Sequence, residues 1–509
     1  MAIFQIWAIL KSLGRFLDGR FVSLVLAILA LALLKYRSRT SKRMPNGPLG
    51  LPFIGYIPFM GRKPYLTFVR LARRYGSIFS VRLGTKLVVV LNGRKAIREA
   101  FVTKGQSFAG RPDWVLNRVN QGKGIANQQA NQLWRDHRRF VLSVMRSFGE
   151  GRTQMENKVT EEVSHFVAEL ASHDGSPIDM TYLVQLTFSN IICSVCFGQR
   201  YKPSNPDFKH LLHMADVFFK HLTSASAVNF FPLLWYIPLR GHLAVREMYT
   251  GISEFVSDRV QEHKSSLNHD SPRDLIDIYL SEIAKRDLSD SNNYSKVETG
   301  FTEDYIKHVV TDLFLGGTET VNAVVLWSFV CMVMYPDIQT RIQAEINEVV
   351  GSDRVPTMAD KTHLPFTQAT LLELHRRCNV IPCAIPHATT EDVELEDFIL
   401  PKGTTVMANL YSSHMDPEYW QDPDRFDPTR FLDTNGQLIN HESYMPFSIG
   451  RRACLGEQLA KCEIFLAFTG VLQRFRLELP KGDPHPSLDG LPGITHLPRT
   501  TRLRAVPRK

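Results

Sequence analysis

Phe447-Ser448-Ile449-Gly450-Arg451-Arg452-Ala453-Cys454-Leu455-Gly456 is the stretch on which the reading of this chain turns. A lone cysteine is most often a small core residue. This one stands between two glycines, just ahead of a helical stretch beginning near Leu455. Backbone amides at a helix start favour an anion, so a thiolate is stabilised there. Gly450 and Gly456 remove side chains where a flat group must approach the backbone. Arg452 offers a fixed cation for a carboxylate.

Three further segments carry chemistry-bearing residues. Glu373-Leu374-His375-Arg376 lies in a helical stretch, so Glu373 and Arg376 share a face. Alone, such a pair is more often a surface ion pair. Downstream, Pro423-Asp424-Arg425-Phe426 and Pro428-Thr429-Arg430-Phe431 each supply another arginine. Residues 302–330 form a long helix, with Ile306, Val309, Val310, Leu313 and Phe314 at helical spacing. Thr302 can cap it, with Glu303 and Asp304 in the first turn. Inside it stands Gly316-Gly317-Thr318-Glu319-Thr320-Val321. Two mid-helix glycines cost about 1 kcal/mol each against alanine. That cost points to close approach of a ligand, a local widening, or close helix packing. In Trp134-Arg135-Asp136-His137-Arg138, an indole N–H and a guanidinium can both donate to one carboxylate.

The cysteine string resembles the haem-binding loop of the cytochrome P-450 family, phenylalanine-x-x-glycine-x-arginine-x-cysteine-x-glycine, and meets every fixed position. The other segments follow in that family's order. The resemblance runs from the proline hinge to Arg499. It is to the animal microsomal members that oxidise steroids, fatty acids and foreign compounds. It implies a mainly α fold with small β-sheets (α+β), with haem b between a long central helix and the cysteine loop. Cys454 would be the axial ligand of the iron, with Phe447, Gly450, Arg452 and Gly456 around it. Trp134, Arg138, Arg111 (in Phe108-Ala109-Gly110-Arg111-Pro112) and His387 match positions that touch haem propionates. The competing reading of His387 is an ordinary loop histidine. Glu319 and Thr320 match the acid–alcohol pair that delivers protons for oxygen activation. Glu373, Arg376 and Arg430 match a buried structural triad, with Arg430 preferred over Arg425. Two departures stand out. Val321 replaces the usual threonine or serine, and the hinge begins Met44-Pro45-Asn46-Gly47 rather than with two prolines.

The activity implied is a monooxygenase inserting one atom of O2 into a lipophilic steroid, fatty acid or xenobiotic. Electrons would come from NADPH through the flavins of cytochrome P-450 reductase, with cytochrome b5 as a further donor. Arg135, Arg138 and Arg139 lie near the face where an acidic reductase would dock. One alternative is a haem-thiolate isomerase or dehydratase acting without a reductase, which needs no Glu319-Thr320 pair. Another is a haem-thiolate sensor that binds without turnover. Pocket walls are expected from residues 114–125, the Phe314 region, and residues 380–385 and 493–496. These are mostly apolar.

Length and composition bound the rest. The 509 residues suffice for one very large domain or two ordinary ones. The formal charge of +9 suits an acidic partner or an anionic membrane. Scattered basic residues without a recognition motif exclude nucleic acid. Seven cysteines in so long a chain make no disulfide framework, as in a reducing compartment. Residues 21–34 are an unbroken run of apolar and small residues, followed by Lys35, Arg37, Arg39, Lys42 and Arg43 without an acid. The run is short of the roughly 20 residues that span a bilayer, but flanking basic side chains can snorkel. Residues 1–36 therefore read as a signal-anchor rather than a cleaved signal peptide. Positive-inside bias puts the domain on the cytosolic side of the endoplasmic reticulum membrane. Residues 37–55 read as a basic, proline-rich hinge and residues 56–509 as the catalytic domain.

Helical periodicity is expected over residues 131–146, 155–172, 207–221, 243–264, 302–335 and 338–350. A hairpin is expected at 78–83 and 86–91 around Gly84-Thr85, with short strands near 393–400 and 404–408. Residues 287–300 read as a polar loop, whose Asn293-Tyr294-Ser295 sequon would go unused in the cytosol. Cys193 and Cys196 read as buried structural cysteines. The aromatic, proline-broken segment 230–238 resembles a loop that dips into the membrane.

Overall fold

The structure, a computed structural model, describes residues 43–150, 153–225, 227–290 and 300–508. The anchor expected over residues 1–36 and the sequon at 293–295 lie outside the described residues. In chain order the longer elements are α1 (Pro64–Tyr75), β1 (Ile78–Leu83), β2 (Lys86–Asn92), α2 (Gln132–Glu150), α3 (Thr153–Ser172), β3 (Pro177–Asp179), α4 (Met180–Phe197), α5 (Pro206–Ala225), α6 (Arg240–Ser266) and α7 (Leu275–Asp290). They continue with α8 (Glu303–Met334), α9 (Pro336–Val349), α10 (Pro365–Cys378), β4 (His387–Ala388), β5 (Val393–Leu395), β6 (Phe398–Leu400), β7 (Thr405–Asn409), α11 (Glu457–Arg474), β8 (Phe475–Glu478) and β9 (Arg502–Pro507). The fold is α+β, mainly helical with three small sheets.

Local chemistry explains the ends of the central helix. Thr302 caps α8, its hydroxyl accepting from the Tyr305 N–H at 3.1 Å, with Glu303 and Asp304 in the first turn. The helix stops at Met334 because Pro336 disfavours helical backbone at Tyr335. Pro336 and Pro365 then open α9 and α10 from positions where a missing N–H costs nothing.

Two helices, α4 and α7, lie outside the stretches where helical periodicity was expected. Apolar residues surround α4 on every side, so it carries no one-sided stripe to read. By composition α4 and α8 could each cross a membrane, but both are buried in the main core. Helix α7 extends to Asp290, so the start of the expected 287–300 loop is helical. Residues 291–299 lie outside the described residues.

β1 and β2 form the expected hairpin. Leu83 pairs with Lys86 across Gly84-Thr85, and Gly84 takes φ +58. β7 adds parallel to β2 and β4 antiparallel to β7, giving the order β1-β2-β7-β4. β3, β9 and β8 make a second sheet, and β5 and β6 a separate hairpin. All seven cysteines are unpaired, with Cys193 and Cys196 buried. The segment at 230–238 is not core: Leu233 and Tyr236 are 79% and 83% exposed.

Candidate active site

Cys454 sits between a 3₁₀ turn (Gly450–Arg452) and the start of α11, which begins at Glu457. Its own N–H donates to the Phe447 carbonyl at 2.9 Å, closing the loop on itself. Leu455 packs with Val309 and Leu313 of α8 and Val141 of α2. Ile449 packs against the cluster built on β2, β7 and Phe101. The loop is thus wedged between the central helix and the first sheet. Cys454 is exposed on the open side of its loop; the protein packed around it still raises the thiol above its ordinary value, while the Gly456 N–H and Arg138 pull it partway back. The amides alone do not win that contest; a metal competing for the sulfur would favour the thiolate.

The two loop glycines differ in purpose. At Gly450 a Cβ would drive into the Phe101 carbonyl, and φ is +80. That glycine serves close packing against protein. Beside Gly456 no protein atom lies within 4 Å of such a Cβ, so the backbone there is open to a flat group.

Three arginines converge on this loop. Arg452 donates to the Ala109, Ile125 and Gln128 carbonyls at 2.8, 3.2 and 2.5 Å, and lies 3.8 Å over the Trp134 ring. Arg111 donates to the Ala126, Ile385 and Pro386 carbonyls. Arg138 donates to the Ala453 carbonyl at 2.6 Å. Among the described residues no carboxylate pairs with any of the three. Burial, then the neighbouring guanidinium charges, lowers Arg452 to about 8 and Arg111 to about 9. A guanidinium does not lose its proton. These shifts therefore register buried like charges without a counter-ion, a costly arrangement unless an anionic group completes it. A flat group carrying carboxylates, as haem does, fits that donor set. Trp134 and His387 stand in the same region, but their Nε1–H and Nδ1–H are taken by the Ile125 and Phe108 carbonyls at 3.1 and 2.7 Å. His387 also stacks on Phe101 at 3.9 Å.

Behind the loop, Glu373 and Arg376 are fully buried and paired twice, at 2.7 and 2.8 Å. Arg430 reaches the same carboxylate at 3.2 Å. Arg425 does not: its side chain is 70% exposed and only its carbonyl accepts from Arg376 and Arg430. A residue missed from sequence links this cluster to the cysteine loop. Arg376 donates to the His414 carbonyl, and the His414 ring accepts from the Met445 N–H at 3.0 Å. Its Nδ1–H donates to Asn379 at 2.8 Å. Burial, then Arg376 and His375, lowers His414 to about 3, so the ring stays neutral and can accept. His375, one residue before Arg376, packs its ring 5.3 Å from Phe447.

On α8 the paired glycines divide the two readings between them. A Cβ at Gly317 would strike Ile192 of α4 at 2.5 Å, which is close helix packing. A Cβ at Gly316 would meet nothing within 4 Å. The Thr320 hydroxyl donates back to the Gly316 carbonyl at 2.7 Å, leaving its lone pairs to accept. Glu319 does not bond Thr320; it accepts from the Thr495 hydroxyl at 3.0 Å. Burial, with Asp216 adding to it, raises the Glu319 carboxyl, against the Thr495 bond.

The expected wall segments meet beside α8. Asp312 accepts from the Ile125 and Ala126 N–H groups at 2.7 and 2.9 Å. The His496 N–H donates to the Val380 carbonyl, and Trp327 of α8 donates to the His496 carbonyl. Asp312 is an acid inside an apolar helix that the sequence reading passed over, because its partners are backbone amides that no motif marks. Burial raises it to about 6.

A sequence model of the family described as Cytochrome P450 matches residues 45–505. Cytochrome P450 2U1 of Homo sapiens is 36% identical over 489 residues, covering 91% of this chain and 89% of that protein. Cytochrome P450 18a1 of Drosophila melanogaster is 36% identical over 497 residues, covering 95% and 90%. Cytochrome P450 2D3 of Rattus norvegicus is 37% identical over 493 residues, covering 95% and 97%. With the motif order, the α+β fold and a cysteine loop ringed by uncompensated arginines, these likenesses establish that the chain belongs to the cytochrome P450 family and is a haem-dependent monooxygenase.

Proposed function

We propose that this monooxygenase oxidises a lipophilic small molecule, such as a steroid, fatty acid or foreign compound, with electrons from NADPH through a flavoprotein reductase. Its proposed location is the endoplasmic reticulum membrane, with the domain facing the cytosol and cytochrome b5 as an auxiliary donor. The observation that carries the reading is the juxtaposition of Cys454 with three arginines, Arg111 and Arg452 buried and Arg138 half-buried, that have no carboxylate partner among the described residues. When bound, haem supplies the activation of dioxygen and the insertion of one oxygen atom, tuned by the cysteine ligand.

The chain's own residues do the rest. Cys454 holds the iron, and Arg452, Arg111 and Arg138 neutralise the propionates, with Trp134 and His387 beside them. Phe447, Gly450 and Gly456 shape the loop. Glu373, Arg376 and Arg430 keep it from shifting, through His414 and Met445. Burial raises the Glu319 carboxyl, which favours its protonated form and suits it to pass a proton on. Thr320, its own proton committed to Gly316, accepts a hydrogen bond at the open side of the helix. The mostly apolar segments meeting beside α8 exclude water and favour a lipophilic substrate. Arg135 and Arg139 on α2 offer cations to an acidic reductase.

The test uses the purified full chain with reductase and NADPH, reading oxygen uptake and product against a panel of lipophilic compounds. Compounds are preselected by a change in the haem's visible absorption. NADPH-dependent oxygen uptake is expected; turnover without NADPH or reductase would point to the isomerase reading. Cys454→Ala should lose the thiolate-type absorption of the ferrous carbonyl complex, and retention of that band would overturn the ligand assignment.

A further inference from the structure

Basic residues are scattered along the whole chain, but the acidic ones leave one long stretch empty. Between Asp18 and Glu99 the chain carries sixteen lysines and arginines and not one aspartate or glutamate. With an overall charge of +9, everything outside that stretch is net acidic. The positive field therefore belongs to the region running from the apolar N-terminal segment through the hinge and α1 to the first hairpin.

Within that region a groove of about 400 Å³ lies between the hinge and α1, lined by Pro48, Leu49, Tyr56, Arg70, Arg74 and Tyr75. Arg70 and Arg74 are one turn apart on one helix face. Arg70 donates to the Thr67 hydroxyl at 2.8 Å, and Arg74 lies 5.4 Å over the Tyr75 ring. Among the described residues neither they nor the exposed Arg73 pairs with a carboxylate. Surface cations elsewhere commonly do, as Arg354 with Asp360, Lys461 with Glu457 and Lys264 with Glu303. Lys63, just before α1, takes Asp489.

The rim is apolar. Leu49 is 78% and Phe53 61% exposed, and Leu51, Ile54, Phe59 and Leu66 are exposed beside them. Nor is this wall a loose linker. Leu51 and Gly55 bridge each other. The Ser80 N–H and hydroxyl donate to the Asn46 and Pro45 carbonyls at 3.0 and 2.7 Å, and the Tyr56 N–H donates to the Arg82 carbonyl at 2.7 Å. The site is pre-organised, which lowers the ordering cost of binding.

We propose that this groove binds the phosphate of an anionic phospholipid, with the acyl chains lying along the exposed rim. A guanidinium pair supplies charge-assisted bonds to phosphate oxygens. A free phosphate would make no use of the exposed leucine and phenylalanine side chains, whereas a lipid uses both halves. The proposal rests on the reading that the chain is membrane-bound. It adds a lipid-selective site on the domain itself, distinct from any N-terminal anchor.

The test reconstitutes the full-length holoprotein in phosphatidylcholine vesicles with and without phosphatidylserine. Co-flotation with the vesicles reads the membrane association. Gentle detergent extraction followed by mass spectrometry reads the co-purifying lipid. Phosphatidylserine should be enriched over phosphatidylcholine on the wild type, and the enrichment should fall about fivefold or more in R70E/R74E. The ferrous carbonyl spectrum should be unchanged in that variant, since both side chains are exposed and far in sequence from the cysteine loop. R135E/R139E, which reverses two cations on α2, should keep the enrichment. Equal enrichment in R70E/R74E overturns the site, as does its loss in R135E/R139E, which would indicate diffuse attraction. Inorganic phosphate displacing the lipid completely would mark a phosphate site with no lipid component. A fall in reductase affinity with unchanged lipid in R70E/R74E would assign the groove to an acidic protein instead. A chain that fails to float on either vesicle refutes the membrane reading and the proposal with it; one that floats without enriching phosphatidylserine refutes the groove alone.

Discussion

Two sets of buried and half-buried arginines support the cysteine loop, and they are satisfied in opposite ways. Arg376 and Arg430 share the Glu373 carboxylate and spend their remaining N–H groups on the carbonyls of His414, Pro423, Gln421 and Arg425. Arg111, Arg138 and Arg452 have carbonyl oxygens only, and like charges for neighbours. The first set is complete within the protein and reads as architecture. The second is complete only with an added anion and reads as a binding site. Each set mixes buried and half-buried side chains, so burial does not separate them; the presence of the counter-charge does.

The comparison is sharpest where its first half is broken. Glu373→Gln leaves two buried guanidinia without their carboxylate and should cost about 3–5 kcal/mol. Urea unfolding of the holoprotein and its haem content would both register it; a loss below about 1 kcal/mol would remove the triad from its bracing role. The His414 link adds a pH signature. Its folded value near 3 lies below the ordinary 6.5, so its contribution is fully present above pH 6.5 and is lost as pH falls towards 3. His137, His308 and His375, each lowered to about 4 by burial, act in the same direction. Unfolding free energy should therefore fall as pH drops below 6.5. His414→Gln should flatten that slope by about 1.4 kcal/mol per pH unit, the weight of one proton. An unchanged slope would mean that His414 titrates normally.

Breaking the second half should look different. Arg452→Gln should speed haem transfer to excess apomyoglobin about tenfold, while the apoprotein loses only about 1 kcal/mol from its carbonyl contacts. If the apoprotein suffered as much as in Glu373→Gln, the two sets of arginines would not be distinct. Arg425→Ala, aimed at the exposed arginine of the same segment as Arg430, should change stability by no more than about 0.5 kcal/mol in the same urea assay.

Much of the site was legible before any coordinates, because its residues are bound by local spacing. A cysteine ahead of a helix, Glu373 and Arg376 one turn apart, and Thr302 before two acids each state their geometry in a few residues. Glycines were legible as unusual, yet their reasons were not. Gly450 answers to Phe101 and Gly317 to Ile192, each remote in sequence. His414 and Asp312 escaped notice because their partners, backbone groups and for His414 also the Asn379 side chain, lie on remote segments that no motif marks.

The sequence by itself determined the family and several of the long helices, and it singled out the cysteine loop, since periodicity, capping and motif spacing are short-range properties of the chain. Only the tertiary structure decided that Arg430 rather than Arg425 reaches Glu373, that Glu319 bonds Thr495 rather than Thr320, and that Gly316 faces open space while Gly317 packs. It alone brought three arginines together with no carboxylate between them. Each of those outcomes depends on which side chains meet across distant segments, and a counter-charge that is missing can be recognised only once the neighbours are in place.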